Sequence, residues 1–341
     1  MKMEKNSMIK FITGIPKAEL HLHIEGTFEP ELMFKIAKRN GIELDFNNIE
    51  ELKKAYNFSN LQEFLNIYYA GCNVLINEVD FFDLTWAYLT KAKEQNILHT
   101  EVMFDPQTHT DRGILFETVI NGIHNALADA ENKLGISSKL IMSFLRHLPE
   151  KKAFETLEQA APFKEWIDVV GLDSSEVGNP PSKFARVFQK AREEGYLIVA
   201  HAGEEGPPEY VTEALEFLQV DRIDHGNRSL EDMDVVNDLI ERKMALTVCP
   251  LSNLKLKVVE DLTKHPLREM LDKGLFVTIN SDDPAYFGGY LNENFFEIQK
   301  ALNLSKEDII QLADNSFKAS FLNEIEKSKM LQEITDYINL H

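Results

Sequence analysis

Eight short apolar segments, alternating with longer amphipathic ones, predict an α/β protein: a (β/α)8 TIM barrel with extra helices after the first strand and at the C-terminus. Three observations carry this expectation. From the second segment on, the apolar runs recur every ~25–40 residues, the size of a strand–helix unit. Several are nearly continuous in apolar residues, as parallel strands covered on both faces are. Polar residues gather where these runs end, and there a barrel builds its site.

The expected strands are, in order, "AELHLHIEG", "HTEVMFDP", "KLIMSFLR", "VVGLDSSE", "YLIVAHAGE", "DRIDHG", "MALTVCP" and "LFVTINSDDP". Among the helices between them, "PELMFKIAKRNG" has Pro30 at a first-turn position and stops at Gly41. "SNLQEFLNIYYAGCNVL" opens with Ser59 and Gln62 at capping-box spacing. Its aromatic run packs a helix in the long first connection, with a pocket wall as the alternative. A doubly wound sheet is the competing architecture, but its G-x-G-x-x-G phosphate loop is absent. No linker or shift in composition divides the chain, so residues 1–341 read as a single domain, with 1–13 as a disordered extension.

Of 341 residues, 44% are hydrophobic and 27% charged, an ordinary globular composition. The net charge of -20 argues against a nucleic-acid partner, which needs clustered Lys and Arg. No apolar run approaches the ~18–20 residues that cross a bilayer, and the first residues carry no signal-peptide core. Two cysteines, Cys72 and Cys249, lie far apart with no C-x-x-C, which fits a cytoplasmic protein.

His21 and His23 share one face of the first strand, because positions i and i+2 point the same way. Alone they read equally well as core histidines or as metal ligands. The other strand ends decide. The second ends in Asp105, the third in Arg146 and His147, and the fourth in Asp173, Ser174, Ser175 and Glu176. The fifth gives His201 and Glu204, the sixth Asp224 and His225, the seventh Cys249, and the eighth Asp282 and Asp283. His21, His23, His201 and Asp282 then form a three-nitrogen, one-oxygen set that suits Zn2+, one per subunit, and would also take cobalt or iron. Glu204 lies just past the fifth strand and can face the site without ligating. His225 can take or orient a proton of the water, and Asp283 can accept a hydrogen bond from substrate. Read as ordinary structure, Glu204 is a first-turn acid, His225 a core histidine paired with Asp224, and Arg146 a member of an ion pair.

The motifs H-L-H-I-E-G, H-A-G-E, I-D-H-G and S-D-D-P, in that order, closely resemble the adenosine/adenine deaminase family of the metal-dependent amidohydrolases, from about Ile15 to Leu322. The resemblance implies one zinc and hydrolytic deamination at the purine 6-position. It makes His21, His23, His201 and Asp282 the zinc ligands and Glu204 the acid that protonates purine N1. His225 becomes the residue that positions and deprotonates the attacking water, and Asp283 faces N7. There is no P-C-x-x-C, so the other zinc deaminase type is excluded.

Two departures point to a free base as substrate. Where adenosine deaminases have H-x-H-x-D-G, this chain has the longer Glu25. Where they have a glycine three residues after the fourth-strand Asp, it has Glu176. Both acids are expected to fill the sugar space, and one to accept the extra ring N–H of a free base. Asp173 and Ser175 complete the expected substrate-binding set. "DPQTHT" and "GLDSSEVGNPP" resemble the adenine deaminase branch, which implies adenine to hypoxanthine in purine salvage. The expected partner is thus a small purine, with neither nucleic acid nor membrane, and a homo-oligomer is compatible with this. The competing functions are adenosine deaminase, a deaminase of N6-modified purines, and a phosphoester or lactone hydrolase of the same barrel. The last usually holds two metals bridged by a modified lysine, and no lysine ends strand four or five.

Overall fold

The computed structural model describes residues 2–341. All eight expected strands form: β1 (Lys17–His23), β2 (Ile97–Phe104), β3 (Ser137–Leu145), β4 (Val169–Asp173), β5 (Leu197–Ala202), β6 (Arg222–His225), β7 (Ala245–Val248) and β8 (Phe276–Ile279). They pair in parallel in sequence order. The ring closes through Asp282, which bridges to Leu22. Its N–H donates to His21 O at 3.1 Å, and His23 N–H donates to its carbonyl at 3.0 Å. The architecture is a (β/α)8 barrel, and closure itself delivers a site residue between two histidines.

The chain opens with α1 (Lys2–Gly14), which corrects the expected disordered extension. Phe11 and Ile12 on its last turns are buried. The long first connection carries α2 (Pro30–Asn40), α3 (Ile49–Ala55), α4 (Leu61–Cys72) and α5 (Glu78–Glu94). The cap of α4 lies one residue later than expected. Asn60 accepts from Glu63 N–H, and Glu63 reaches back to Ser59 N–H, giving a reciprocal cap over this frame. After β8 the extra helices run over Leu291–Leu302, Lys306–Lys318 and Glu324–Leu340.

The apolar core lies mainly between strands and helices. Inside the barrel, Met103, Ile141, Val169 and Val199 form a separate layer closed by Phe321. Beside it the fully buried Arg222 pairs with Glu101 and donates to Leu20 O at 2.8 Å. Phe321 N–H donates to the same Glu101 carboxylate at 2.5 Å. Two buried charges are tolerated here because each is satisfied by the other and by backbone groups. The barrel is therefore filled at its base, and the strand-end histidines and acids of the candidate site collect at the opposite, C-terminal end.

Candidate active site

His21, His23, His201 and Asp282 converge at that end. The Nε2 atoms of His21 and His23 each lie 3.2 Å from His201 Nε2, and 3.4 and 3.5 Å from Asp282 Oδ1. Four ligands at bonds of about 2.0–2.1 Å around a tetrahedral ion are about 3.3 Å apart, so the spacing fits one metal. The outer nitrogens fix which ring nitrogen faces inward. His21 Nδ1–H donates to Thr247 Oγ1 at 2.9 Å, and that hydroxyl donates to Asp224 Oδ1 at 2.9 Å. His201 Nδ1 lies 3.6 Å from Asp224 Oδ2, and His23 Nδ1 lies 3.6 Å from Asp173 Oδ2. With the outer nitrogens facing hydroxyl or carboxylate, the inner lone pairs point at the ion site. Asp282 takes φ +64°, a strained conformation for a residue with a side chain, at this point of convergence.

Asp224 is thus engaged with Thr247 and His201, not with His225 as the structural reading expected. His225, at φ +66°, is fully buried with no hydrogen-bond partner on either ring nitrogen. Its ring packs against those of His21 and His201, and its Nε2 lies 3.6 Å from Glu204 Oε2. Burial first, then the neighbouring His21, pushes its pKa down to about 3, so it is a neutral base. Burial, then Asp282, holds Glu204 well above the usual carboxylate range, which favours its protonated form. Asp283 is raised by the same two causes. A Cβ on Gly26 would sit 2.0 Å from Asp283 Oδ1, so the glycine of H-L-H-I-E-G is needed for this close approach.

Beside these groups opens one cavity of about 40 Å³, room for a few waters. Its floor carries His23, His201, Glu204, His225, Asp282 and Asp283. Leu61, Phe64, Leu65, Tyr68 and Tyr69 of α4 form an apolar wall, so the aromatic run does line the pocket. Asp105 and Asp173 lie at the cavity too. Burial pushes the Asp173 carboxyl up to about 7, and burial with Asp173 beside it raises Asp105 well above its ordinary value.

Four sequence expectations change. Glu176 is fully buried but faces away from the cavity. Its carboxylate accepts the N–H groups of Gly203, Glu204, Glu205 and Gly206 at 2.7, 3.0, 2.9 and 2.8 Å. It holds the turn that carries Glu204 rather than filling a sugar space. Glu25 also turns away. It accepts from Asp105 N–H at 3.2 Å and from His109 Nε2–H at 2.9 Å, while Arg112 donates to His109 Nδ1 at 2.9 Å. Ser175 donates to Gln62 of α4 at 3.3 Å, and its neighbour Ser174 lines the cavity instead. Arg146 pairs with the carbonyls of Asn179 and His201, at 2.8 and 2.6 Å, not with a carboxylate. Sequence reasoning gave no role to Thr247 or to Asp105. Asp105 carried a signal as a strand-end acid, whereas Thr247 lies mid-strand and carried none.

The model of the adenosine deaminase family matches residues 16–337. The adenine deaminase of Acinetobacter baylyi is 65% identical over 325 residues, covering 95% of this chain and 98% of that protein. The adenine deaminase of Hahella chejuensis is 58% identical over 334 residues, covering 98% of this chain and 100% of that one. The crystal structure of adenine deaminase from Arthrobacter aurescens superposes with a TM-score of 0.94 at 52% identity, covering 96% of this chain and 100% of that chain. With these likenesses and a site whose residues meet as the motifs imply, the chain belongs to the adenosine deaminase family and, within it, resembles the adenine deaminases.

Proposed function

We propose that this chain hydrolyses adenine to hypoxanthine and ammonia, with one zinc held by His21, His23, His201 and Asp282. The observation that carries this is the set of four donors at 3.2–3.5 Å, three of which, His23, His201 and Asp282, share one cavity with Glu204, His225 and Asp283. Similarity to adenine deaminases supports the substrate. Zinc, when bound there, supplies a Lewis acid that makes water nucleophilic near neutral pH.

The residues of the chain do the rest. The apolar wall from α4 covers one face of a flat base and excludes bulk water. Asp283 orients the imidazole edge at N7. Glu204, protonated by virtue of its burial, donates to N1 as water adds to C6, so that charge does not build on the ring. His225, neutral and unpartnered, accepts the proton that the attacking water releases. His225 then returns that proton to the amino group, which leaves as ammonia, while the C6 hydroxyl gives its proton to Glu204 and becomes the carbonyl of hypoxanthine. Substrate and product are both free bases, and we assign the reaction to purine salvage. No helix among the described residues is long and apolar enough to cross a membrane, and we assign the reaction to the cytoplasm.

Ammonia release from purified, zinc-replete protein, with adenine and adenosine in parallel, tests the reading. Release from adenine with hypoxanthine as product supports it. Release mainly from adenosine keeps the chemistry and removes the substrate assignment. Release from neither contradicts both.

A further inference from the structure

With Glu25 and Glu176 turned away from the cavity, the sequence-level account of free-base selection loses both of its residues. The cavity itself offers another. Asp173, at the end of β4, is 1% exposed and lines the cavity; its Oδ2 faces His23 Nδ1 at 3.6 Å, and its Oδ1 has no hydrogen-bond partner and is free for a substrate donor. Asp105, at the end of β2, is 3% exposed. Its Oδ2 accepts from Tyr68 at 3.2 Å, and its Oδ1 has no partner. Unpartnered buried carboxyl oxygens are costly, and a substrate donor is the natural way to satisfy them.

Strand order says which donor. The ion site is built from β1, β5 and the residues after β8, with Glu204 after β5, His225 on β6 and Asp283 after β8. A purine with C6 at the ion, N1 at Glu204 and N7 at Asp283 turns its far edge, N3 and N9, toward the arc β2–β4. There Asp105 and Asp173 stand. A free base carries an N–H on the imidazole half that a 9-substituted purine lacks, and a substituent at N9 would need the space these carboxyls occupy.

We propose that Asp173, braced by Asp105 and its Tyr68 contact, accepts that N–H and closes the room for a 9-substituent. This rests on the deaminase reading above and adds to it the residue that selects free bases.

The test compares kcat/KM for adenine and 9-methyladenine in wild type, Asp173→Ala and Asp105→Ala, with zinc content measured in each. Asp173 also lies near His23, so a loss of metal would lower both substrates together, whereas the ratio isolates recognition. We expect the adenine to 9-methyladenine ratio to fall at least about 100-fold in Asp173→Ala, as adenine loses its acceptor and the methyl group gains space. A ratio within about threefold of wild type in both variants overturns the inference while leaving adenine deamination intact. So does a gain on 9-methyladenine with an unchanged KM for adenine, which would make the acid a steric wall only. If the alanine variants fail to fold, wild-type inhibition decides. Hypoxanthine should bind at least about 100-fold more tightly than 9-methylhypoxanthine, and equal binding overturns the inference. No turnover of any 6-aminopurine by zinc-replete wild type would instead contradict the deaminase reading.

Discussion

Glu176→Gln asks whether one carboxylate holds the turn that carries Glu204. In the folded chain Oε1 accepts from Gly203 and Oε2 from Glu204, Glu205 and Gly206, all between 2.7 and 3.0 Å. An amide keeps one acceptor. Placed at the Oε2 position, its oxygen retains three bonds, and its NH2 then faces the Gly203 N–H, donor against donor. The loss is one charge-assisted bond together with a buried donor left unmet, about 2–4 kcal/mol. At about 2.1 cal/mol/K per residue, a chain of 341 residues has an unfolding entropy of about 0.7 kcal/mol/K, so Tm should fall by about 3–6 °C. Catalysis should suffer more. Displacement of Glu204 by about an ångström costs on the order of 100-fold in kcat. Zinc content should be unchanged, since none of the four ligands bonds to Glu176 and His201 is fixed on β5 ahead of the turn, and so should the adenosine-to-adenine ratio, since Glu176 does not face the cavity. The assay is thermal melting with kcat for both substrates on the same preparation. Unchanged Tm together with unchanged kcat, or a selective gain on adenosine, would refute the anchoring role.

Glu204→Gln should lower kcat by about 10²–10⁴-fold with zinc retained, and turnover within tenfold of wild type would remove its role as the N1 proton donor. Gly26→Ala should displace Asp283, because its Cβ falls 2.0 Å from Asp283 Oδ1, and steady-state kinetics should show a raised KM for adenine; wild-type kinetics would contradict the assigned contact. Burial lowers the Lys17 amine to about 7, and its donors meet only the carbonyls of Ile12 and Ile15, at 2.8 and 2.7 Å. Between about pH 7 and 10.5 the unfolded chain holds this proton and the folded chain does not, so its contribution to stability rises with pH, at most about 1.4 kcal/mol per unit. Below about pH 7 both states are protonated and the burial cost is fully present. Denaturant midpoints should therefore rise with pH in wild type relative to Lys17→Met over that range, and parallel curves would refute it.

The strands and their polar ends were legible because both are local properties of the chain: apolar runs of strand length, then histidine or acid at the boundary. The candidate metal set followed, since same-face spacing on β1, barrel closure beside Asp282 and the end of β5 across the barrel bring His21, His23, Asp282 and His201 together. What could not be read was where an acid just outside a strand would turn. Glu176 is drawn to four N–H groups lying 27–30 residues further along the chain. Glu25 is drawn to His109, 84 residues away. Both positions look like site positions in one dimension, and neither side chain reaches the cavity. Asp224 misled for another reason. Neighbours on a strand point to opposite sides, so its adjacency to His225 implied no pairing, and Thr247 takes its oxygen instead. The N-terminal helix was missed because "MKMEKNSMIKFITG" reads as polar until Phe11 and Ile12 find cover.

The measurement that bears most directly on the central claim is adenine turnover followed against metal content. Protein stripped with a chelator is titrated back with zinc, and ammonia release and bound metal are measured at each point. Activity rising linearly to one zinc per chain, and lost when His21 or His201 is replaced by Ala, is the result expected of a single ion held by four strand-end donors. Full activity in metal-free protein, or a requirement for two ions per chain, would contradict it.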